Sequence, residues 1–212
     1  MPQGTMRTPQ EKGALMKIDT LVLGPVQTNC YIVYNEGAEE AIVIDPSADA
    51  GKIMEALDGK RAAAVLLTHG HFDHTGALGA FEGTPIYIHP SDDVMLTDSA
   101  WSGGYMIGDT EPRPAATDYV REGTKLHLAG LDIVVMHTPG HTLGSVVYMI
   151  GDALFTGDTL FCSGFGRTDL MGGDEDELFR SLRRLLSLEK NWIICPGHGS
   201  HTTLEEEKGK YT

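Results

Sequence analysis

The chain has 212 residues, 41% hydrophobic and 22% charged, enough length and apolar content to bury a substantial core, which excludes disorder as a description of the whole. Its 16 Lys and Arg stand against 30 Asp and Glu, a formal net charge of -14. Such a balance repels a phosphate backbone and excludes nucleic acid as an expected partner. No run approaches the roughly 18 to 20 consecutive apolar residues that span a bilayer, and residues 1–15 lack the apolar stretch of a secretory signal. The expectation is a cytoplasmic protein with no membrane partner, acting on a small molecule. Cys30, Cys162 and Cys195 are odd in number and far apart, so they predict reduced thiols packed in the core or beside a site, not a disulfide framework.

Residues 1–15 are polar, contain Gly and Pro, and show no periodicity, which predicts a mobile tail before a single domain over 16–212. Short apolar, β-branched runs then predict strands at 18–23, 31–34, 41–44, 62–67, 86–88, 131–136, 146–150, 153–155 and 192–195. Short helices are expected at 52–57, 76–81 and 91–96. The clearest helical pattern is 174–189, where Leu178, Leu182, Leu185 and Leu186 share one face. Acids fill its first turn and Arg180, Arg183 and Arg184 its later turns, the order the helix dipole favours. No repeat or linker divides the chain, and mixed strands and helices predict layered α/β (α+β) structure.

Of 9 histidines, five lie in three short segments that each follow an apolar run. Thr68-His69-Gly70-His71-Phe72-Asp73-His74 follows Leu67, Pro139-Gly140-His141-Thr142 follows the run ending at Met136, and Pro196-Gly197-His198-Gly199 follows Cys195. Asp45 and Asp158 occupy the same kind of position. Loops at one rim of a sheet converge, and imidazole with carboxylate is a ligand set for zinc, iron or manganese.

The strings T-H-G-H-F-D-H, P-G-H-T, F-T-G-D-T-L-F and P-G-H-G, in this order and at these spacings, resemble the metallo-β-lactamase-fold hydrolases, and within them the glyoxalase II-like branch. T-N-C-Y at 28–31, V-I-D-P at 43–46 and G-R-T-D at 166–169 resemble its short, single-domain bacterial type II members. The likeness runs from about residue 16 to 205. It implies a four-layer αββα sandwich without the helical C-terminal glyoxalase II domain. It also implies two divalent metal ions, zinc first and iron or manganese as alternatives. His69, His71 and His141 would hold one ion, Asp73, His74 and His198 the other, with Asp158 between them. The classical zinc β-lactamases carry a Cys in the place of Asp158, which argues against antibiotic hydrolysis.

The implied reaction is hydrolysis of a thioester such as S-lactoylglutathione by a hydroxide shared between the metals and oriented by Asp73. Asp45 is a candidate to hydrogen-bond a ligand imidazole, or else a turn residue before Pro46. Arg167 stands where two-domain glyoxalase II enzymes carry a Lys for the glutathione carboxylate, making it a substrate-binding candidate; pairing with an acid of its own loop is the alternative. Two aromatic positions of those enzymes are Asp169 and Ser200 here. Trp101, Tyr105 and Met106 are expected to pack beneath a long loop, with walling of the substrate mouth as the alternative, and His89, His127 and His201 to be surface or edge residues. His137 lies nearer the site, at a strand end. Competing readings are a persulfide dioxygenase with one iron on His69, His141 and Asp158, a lactonase or phosphodiesterase of the same fold, and a metal-binding module without catalysis.

Overall fold

The β-branched runs assemble, in a computed structural model whose described residues are 5–9 and 15–211, into two sheets. The first contains β1 (Thr5–Pro9), β2 (Leu15–Leu23), β3 (Thr28–Asn35), β4 (Glu40–Ile44), β5 (Arg61–Leu66), β6 (Ile86–Ile88) and β7 (Asp118–Tyr119), in that order across the sheet. It is antiparallel from β1 to β4 and parallel from β4 to β7. The second contains β8 (Lys125–Leu128), β9 (Leu131–His137), β10 (Val146–Ile150), β11 (Ala153–Gly157), β12 (Ile193–Pro196) and β13 (Thr202–Thr203), again in chain order. Only its β11–β12 pair is parallel. Helices α1 (Ala50–Leu57), α2 (Phe72–Thr75), α3 (Ser99–Ser102), α4 (Glu175–Leu186) and α5 (Leu204–Lys208) complete the elements, with 3-10 turns at Leu78–Phe81, Asp93–Leu96 and Gly104–Ile107.

Side chains alternate along each strand, so a strand that is apolar throughout is covered on both faces. On β3, Tyr31 and Val33 point into the space between the sheets, where they meet Leu131, Ile133, Val146 and Phe155. Its Cys30 and Ile32 point outward against Ile53 and Leu57 of α1 and Leu78 and Phe81 of the following turn. The outer face of the second sheet, with Val147 and Leu154, takes Leu178, Leu182 and Leu185 of α4 and Leu204 of α5. The result is the four-layer αββα sandwich that the resemblance implies, with three apolar layers. At about 1.5–3 kcal/mol per fully buried leucine, the three of α4 contribute roughly 5–9 kcal/mol as an upper bound. Asp174 caps that helix by accepting from Glu177 N at 2.9 Å. The helix ends at Leu186, short of 189, because Ser187 N turns back onto the carbonyls of Arg183 and Arg184.

Within the stretch expected to be a mobile tail, residues 5–9 form the edge strand β1, paired antiparallel to β2 with Thr5 opposite Asp19; Thr5 Oγ1 also hydrogen-bonds the Asp19 carboxylate. Its recruitment comes from the unpaired backbone edge of β2, not from any apolar pattern of its own. Residues 1–4 and 10–14 lie outside the described residues. No helix among the described residues is long and apolar enough to cross a membrane.

The chain order puts the ends of β4, β5, β9, β11 and β12 at one edge of the sandwich. The loops leaving them carry Asp45, the 68–74 segment, His141, Asp158 and His198.

Candidate metal centre

Those five loops meet. His69, His71 and His141 offer ligand atoms that all lie within 4.8 Å of one another, and so do Asp73, His74 and His198. Asp158 lies between the two groups: Oδ1 is 3.3 Å from His74 Nε2, and Oδ2 is 3.5 Å from Nε2 of both His141 and His198. His71 Nδ1 and His141 Nε2 are 2.9 Å apart, and His198 Nε2 is 3.2 Å from Asp73 Oδ2.

The ring orientations follow from contacts behind them. Asp45 is buried after β4, in the left-handed region at φ 50°. Its Oδ2 accepts from His74 Nδ1 at 2.9 Å and from Thr68 Oγ1 at 2.6 Å, while Oδ1 accepts from Thr68 N at 2.8 Å. With the Thr68 hydroxyl proton spent on Asp45, Thr68 Oγ1 accepts from His69 Nδ1 at 3.1 Å. His141 Nδ1 donates to the Arg167 carbonyl at 2.7 Å. In each ring the outward nitrogen carries the proton and Nε2 is left to face the cluster, the arrangement a metal-binding imidazole needs.

Three of the facing atoms, Nε2 of His69 and His74 and Oδ1 of Asp158, are buried without a hydrogen-bond partner, while His71 turns Nδ1 toward His141 Nε2. One such atom costs about 1–3 kcal/mol, so a convergent set of three is a standing demand for cations. Imidazole and carboxylate oxygen are the donors that divalent zinc, iron and manganese accept, so the residues present fit such ions.

The charges agree with this. Burial and the neighbouring imidazoles hold His69 well below the usual histidine range and bring His71 down to about 3, so both keep free lone pairs at neutral pH. His74 goes the other way: burial opposes its charged form, yet Asp73, Asp158 and Asp45 together raise it well above the usual value. His198 is likewise raised to about 9 by Asp158 and Asp73 against the effect of burial. Burial alone would raise the two acids, but the surrounding imidazoles bring Asp73 to about 2 and hold Asp158 well below the carboxylate range.

Several residues that build the site carry no local motif. Asp92, fully buried, accepts from Gly144 N at 2.7 Å on Oδ1, and from Gly70 N at 3.2 Å and Thr142 Oγ1 at 2.7 Å on Oδ2. It ties the loop of His69 and His71 to the loop of His141. Thr28, Asn29 and Tyr31 of β3 contact Asp73 and the His198 loop; the T-N-C-Y string was the available signal, without a role attached. Gly197 packs so tightly that a Cβ there would come within 2.1 Å of Asp158 Oδ1.

In front of the cluster lies a cavity of about 320 Å³ whose apolar walls are Val26, Phe72, Met106, Ile107, Phe161 and Leu170. Arg167 also lines it, but its guanidinium is held by Asp169 through two bonds of 2.6 and 2.7 Å, both residues being exposed. Tyr105 and Met106 are exposed and Trp101 half-buried, so this segment is not packed beneath a loop; Met106 walls the cavity because the 3-10 turn at 104–107 carries it out over the site. His89, expected at the surface, is buried, with its ring stacked on His137 at 4.2 Å and 5°. His137 Nε2 in turn donates to the Leu143 carbonyl at 3.0 Å. His127 is exposed beside Asp132, and His201 is half-buried. Cys30 and Cys195 are buried, but Cys162 is exposed on the loop after β11.

A four-layer αββα sandwich with a His and Asp cluster at its strand-end edge defines a metal-dependent hydrolase architecture. The chain belongs to the metallo-beta-lactamase superfamily, whose model matches residues 23–198. It is 34% identical over 203 residues to the hydroxyacylglutathione hydrolase GloC of Haemophilus influenzae, covering 91% of this chain and 95% of that one. Among solved structures it is similar to the BLEG-1 B3 metallo-beta-lactamase, with TM-score 0.85, 36% identity and coverage of 91% and 96% of the two chains. It is also similar to TTHA1623 in a di-iron-bound form, with TM-score 0.78, 38% identity and coverage of 89% and 96%. As a member of this superfamily the protein is a hydrolase that depends on divalent metal.

Proposed function

We propose that the protein hydrolyses thioesters of the hydroxyacylglutathione type at a centre of two divalent metal ions. His69, His71 and His141 would hold one ion and Asp73, His74 and His198 the second, with the Asp158 carboxylate lying between the two groups. Bound there, the cations would supply an acidified water, whose pKa a single zinc lowers to about 7, and a Lewis acid for the carbonyl oxygen. Asp73, with Oδ2 fixed by Thr28 Oγ1 at 2.8 Å, orients the attacking water. Asp45, directly and through Thr68, keeps His74 and His69 in their working tautomers.

The observation that carries the thioester reading is what the cavity lacks. Among the described residues that line it, Arg167 is the only titratable one outside the seven clustered side chains, and a guanidinium does not give up its proton. An amine or alkoxide must be protonated as it leaves, whereas a thiol of pKa about 8.5 leaves as thiolate without a general acid. Similarity to GloC points the same way. Arg167 binds the carboxylate of the thiol half once Asp169 is exchanged for it.

A second reading, β-lactam hydrolysis, is favoured by the likeness to BLEG-1; its leaving amine needs the proton donor that the cavity does not offer. The test is metal content by elemental analysis, followed by assays of the same preparation with S-lactoylglutathione, a chromogenic β-lactam and glutathione persulfide. Two metals per chain with turnover of the thioester alone is the expected result. Turnover of the β-lactam alone refutes the thioester reading. So does a single iron with activity confined to the persulfide.

A further inference from the structure

Apart from the bond from Thr28 to Asp73, the contacts of β3 belong to none of these steps, yet they are concentrated on one half of the centre. Asn29 Nδ2 donates to the carbonyls of Pro196 at 2.9 Å and Gly199 at 3.0 Å, so both amide hydrogens are spent on the loop that carries His198. Tyr31 OH donates to the same Pro196 carbonyl at 2.6 Å, and Asn29 N to Gly197 O at 2.7 Å. Thr28 pairs with His198 in an antiparallel bridge, and its hydroxyl donates to Asp73. The carbonyls of 196, 197 and 199, which bracket His198, are therefore all held from β3. Thr28, Asn29 and Tyr31 are themselves buried to within 2% of complete.

Asp45 and Thr68 reach both halves, but the loops of the other half are tied by Asp92 and not by β3 side chains among the described residues. There His69, His71 and His141 are exposed by no more than 3%. In the half that contains the fully buried His74, the side chains of His198 and Asp73 are by contrast 24% and 14% exposed. A ligand packed on all sides keeps its orientation through its neighbours; one open to solvent depends on whatever fixes its backbone.

We infer that Asn29 and Tyr31 are positioning residues for the Asp73, His74 and His198 half alone, so that the two halves of the centre gain and lose metal separately. This rests on the two-metal reading above. Asn29 and Tyr31 act through the 196–199 backbone, and removing either leaves the buried three-histidine half intact.

The test uses metal-free full-length protein titrated with Co²⁺ and followed by visible absorption, with elemental analysis after zinc loading and dialysis. Tyr31→Phe removes one hydroxyl and keeps the ring in its edge contact with Phe155, centroids 5.1 Å apart; Asn29→Ala removes both amide bonds. Val33→Ala, on the same strand but buried between the sheets, is the control for lost stability. In the two site variants the first equivalent should bind as in the wild type, the second about 10–100-fold more weakly, and dialysed protein should retain one zinc. Val33→Ala should retain two. Equal weakening of both equivalents, unchanged affinity for both, or loss of the second metal in Val33→Ala as well would each overturn the inference while leaving the two-metal reading standing. A wild type that saturates at one metal would overturn both.

Discussion

Replacing Asp92 with alanine removes the acceptor of three buried donors, Gly70 N, Gly144 N and Thr142 Oγ1. Thr142 Oγ1 keeps Ser145 Oγ at 2.6 Å, so its proton has another place to go. The two backbone N–H groups do not, and at about 1–3 kcal/mol each they cost about 2–6 kcal/mol of folded-state stability. Burial raises the Asp92 carboxyl pKa, against the pull of Thr142, Gly144 and Gly70, so removing the acid also relieves some desolvation. The expectation is therefore the lower half of that range, about 2–4 kcal/mol. Asp92→Asn, which keeps an acceptor at one position but turns an amide toward the other donors, should lose about half as much. The assay is urea unfolding of metal-free protein. With an m-value of about 2 kcal/mol/M, the alanine variant should unfold at a midpoint about 1–2 M lower. A loss below about 0.5 kcal/mol, the level of an ordinary surface substitution, would refute the idea that this carboxylate holds the two loops together.

Asp158→Ala should abolish bound metal and turnover together, read by elemental analysis and thioester assay on one preparation; an active variant would remove Asp158 from its place between the ions. Arg167→Ala should raise KM more than it lowers kcat if the side chain only holds a remote carboxylate, and an unchanged KM would leave it as a partner of Asp169. His89 gives a pH dependence. Burial, with His137 and Arg121 beside it, brings its pKa down to about 4, so an unfolded chain with an ordinary histidine near 6.5 takes the proton first. Its contribution is complete above about pH 6.5 and is lost as pH falls toward 4. The stability difference between wild type and His89→Gln, measured by urea unfolding across that window, should shrink as pH falls; a constant difference would contradict the assignment.

The candidate ligands were legible in the sequence because metal binding restricts chemistry to a few side chains and places them where strands end. His69, His71, Asp73, His74, His141, Asp158 and His198 could be picked out by residue type and by the apolar runs before them. The nine strand-forming runs were legible for a similar reason: several, such as β3, β4 and β11, are buried on both faces, so their apolar signal is strong and local. What escaped was made by contacts between distant parts of the chain. Asp92 reaches Gly144 across 52 positions and Asn29 reaches Pro196 across 167, and an acid or an amide inside a loop announces no such partner. β1 escaped because it is defined by the free edge of β2, while the exposure of Cys162 and the burial of His89 depend on how neighbouring loops turn. By itself the sequence determined the fold class and the set of groups able to bind metal, since these follow from periodicity and side-chain chemistry. Only the tertiary structure decided which nitrogen of His69, His74 and His141 faces the cluster, and what holds each loop in place. Hydrogen-bond direction is a property of partners brought together in space, and those partners are far apart along the chain.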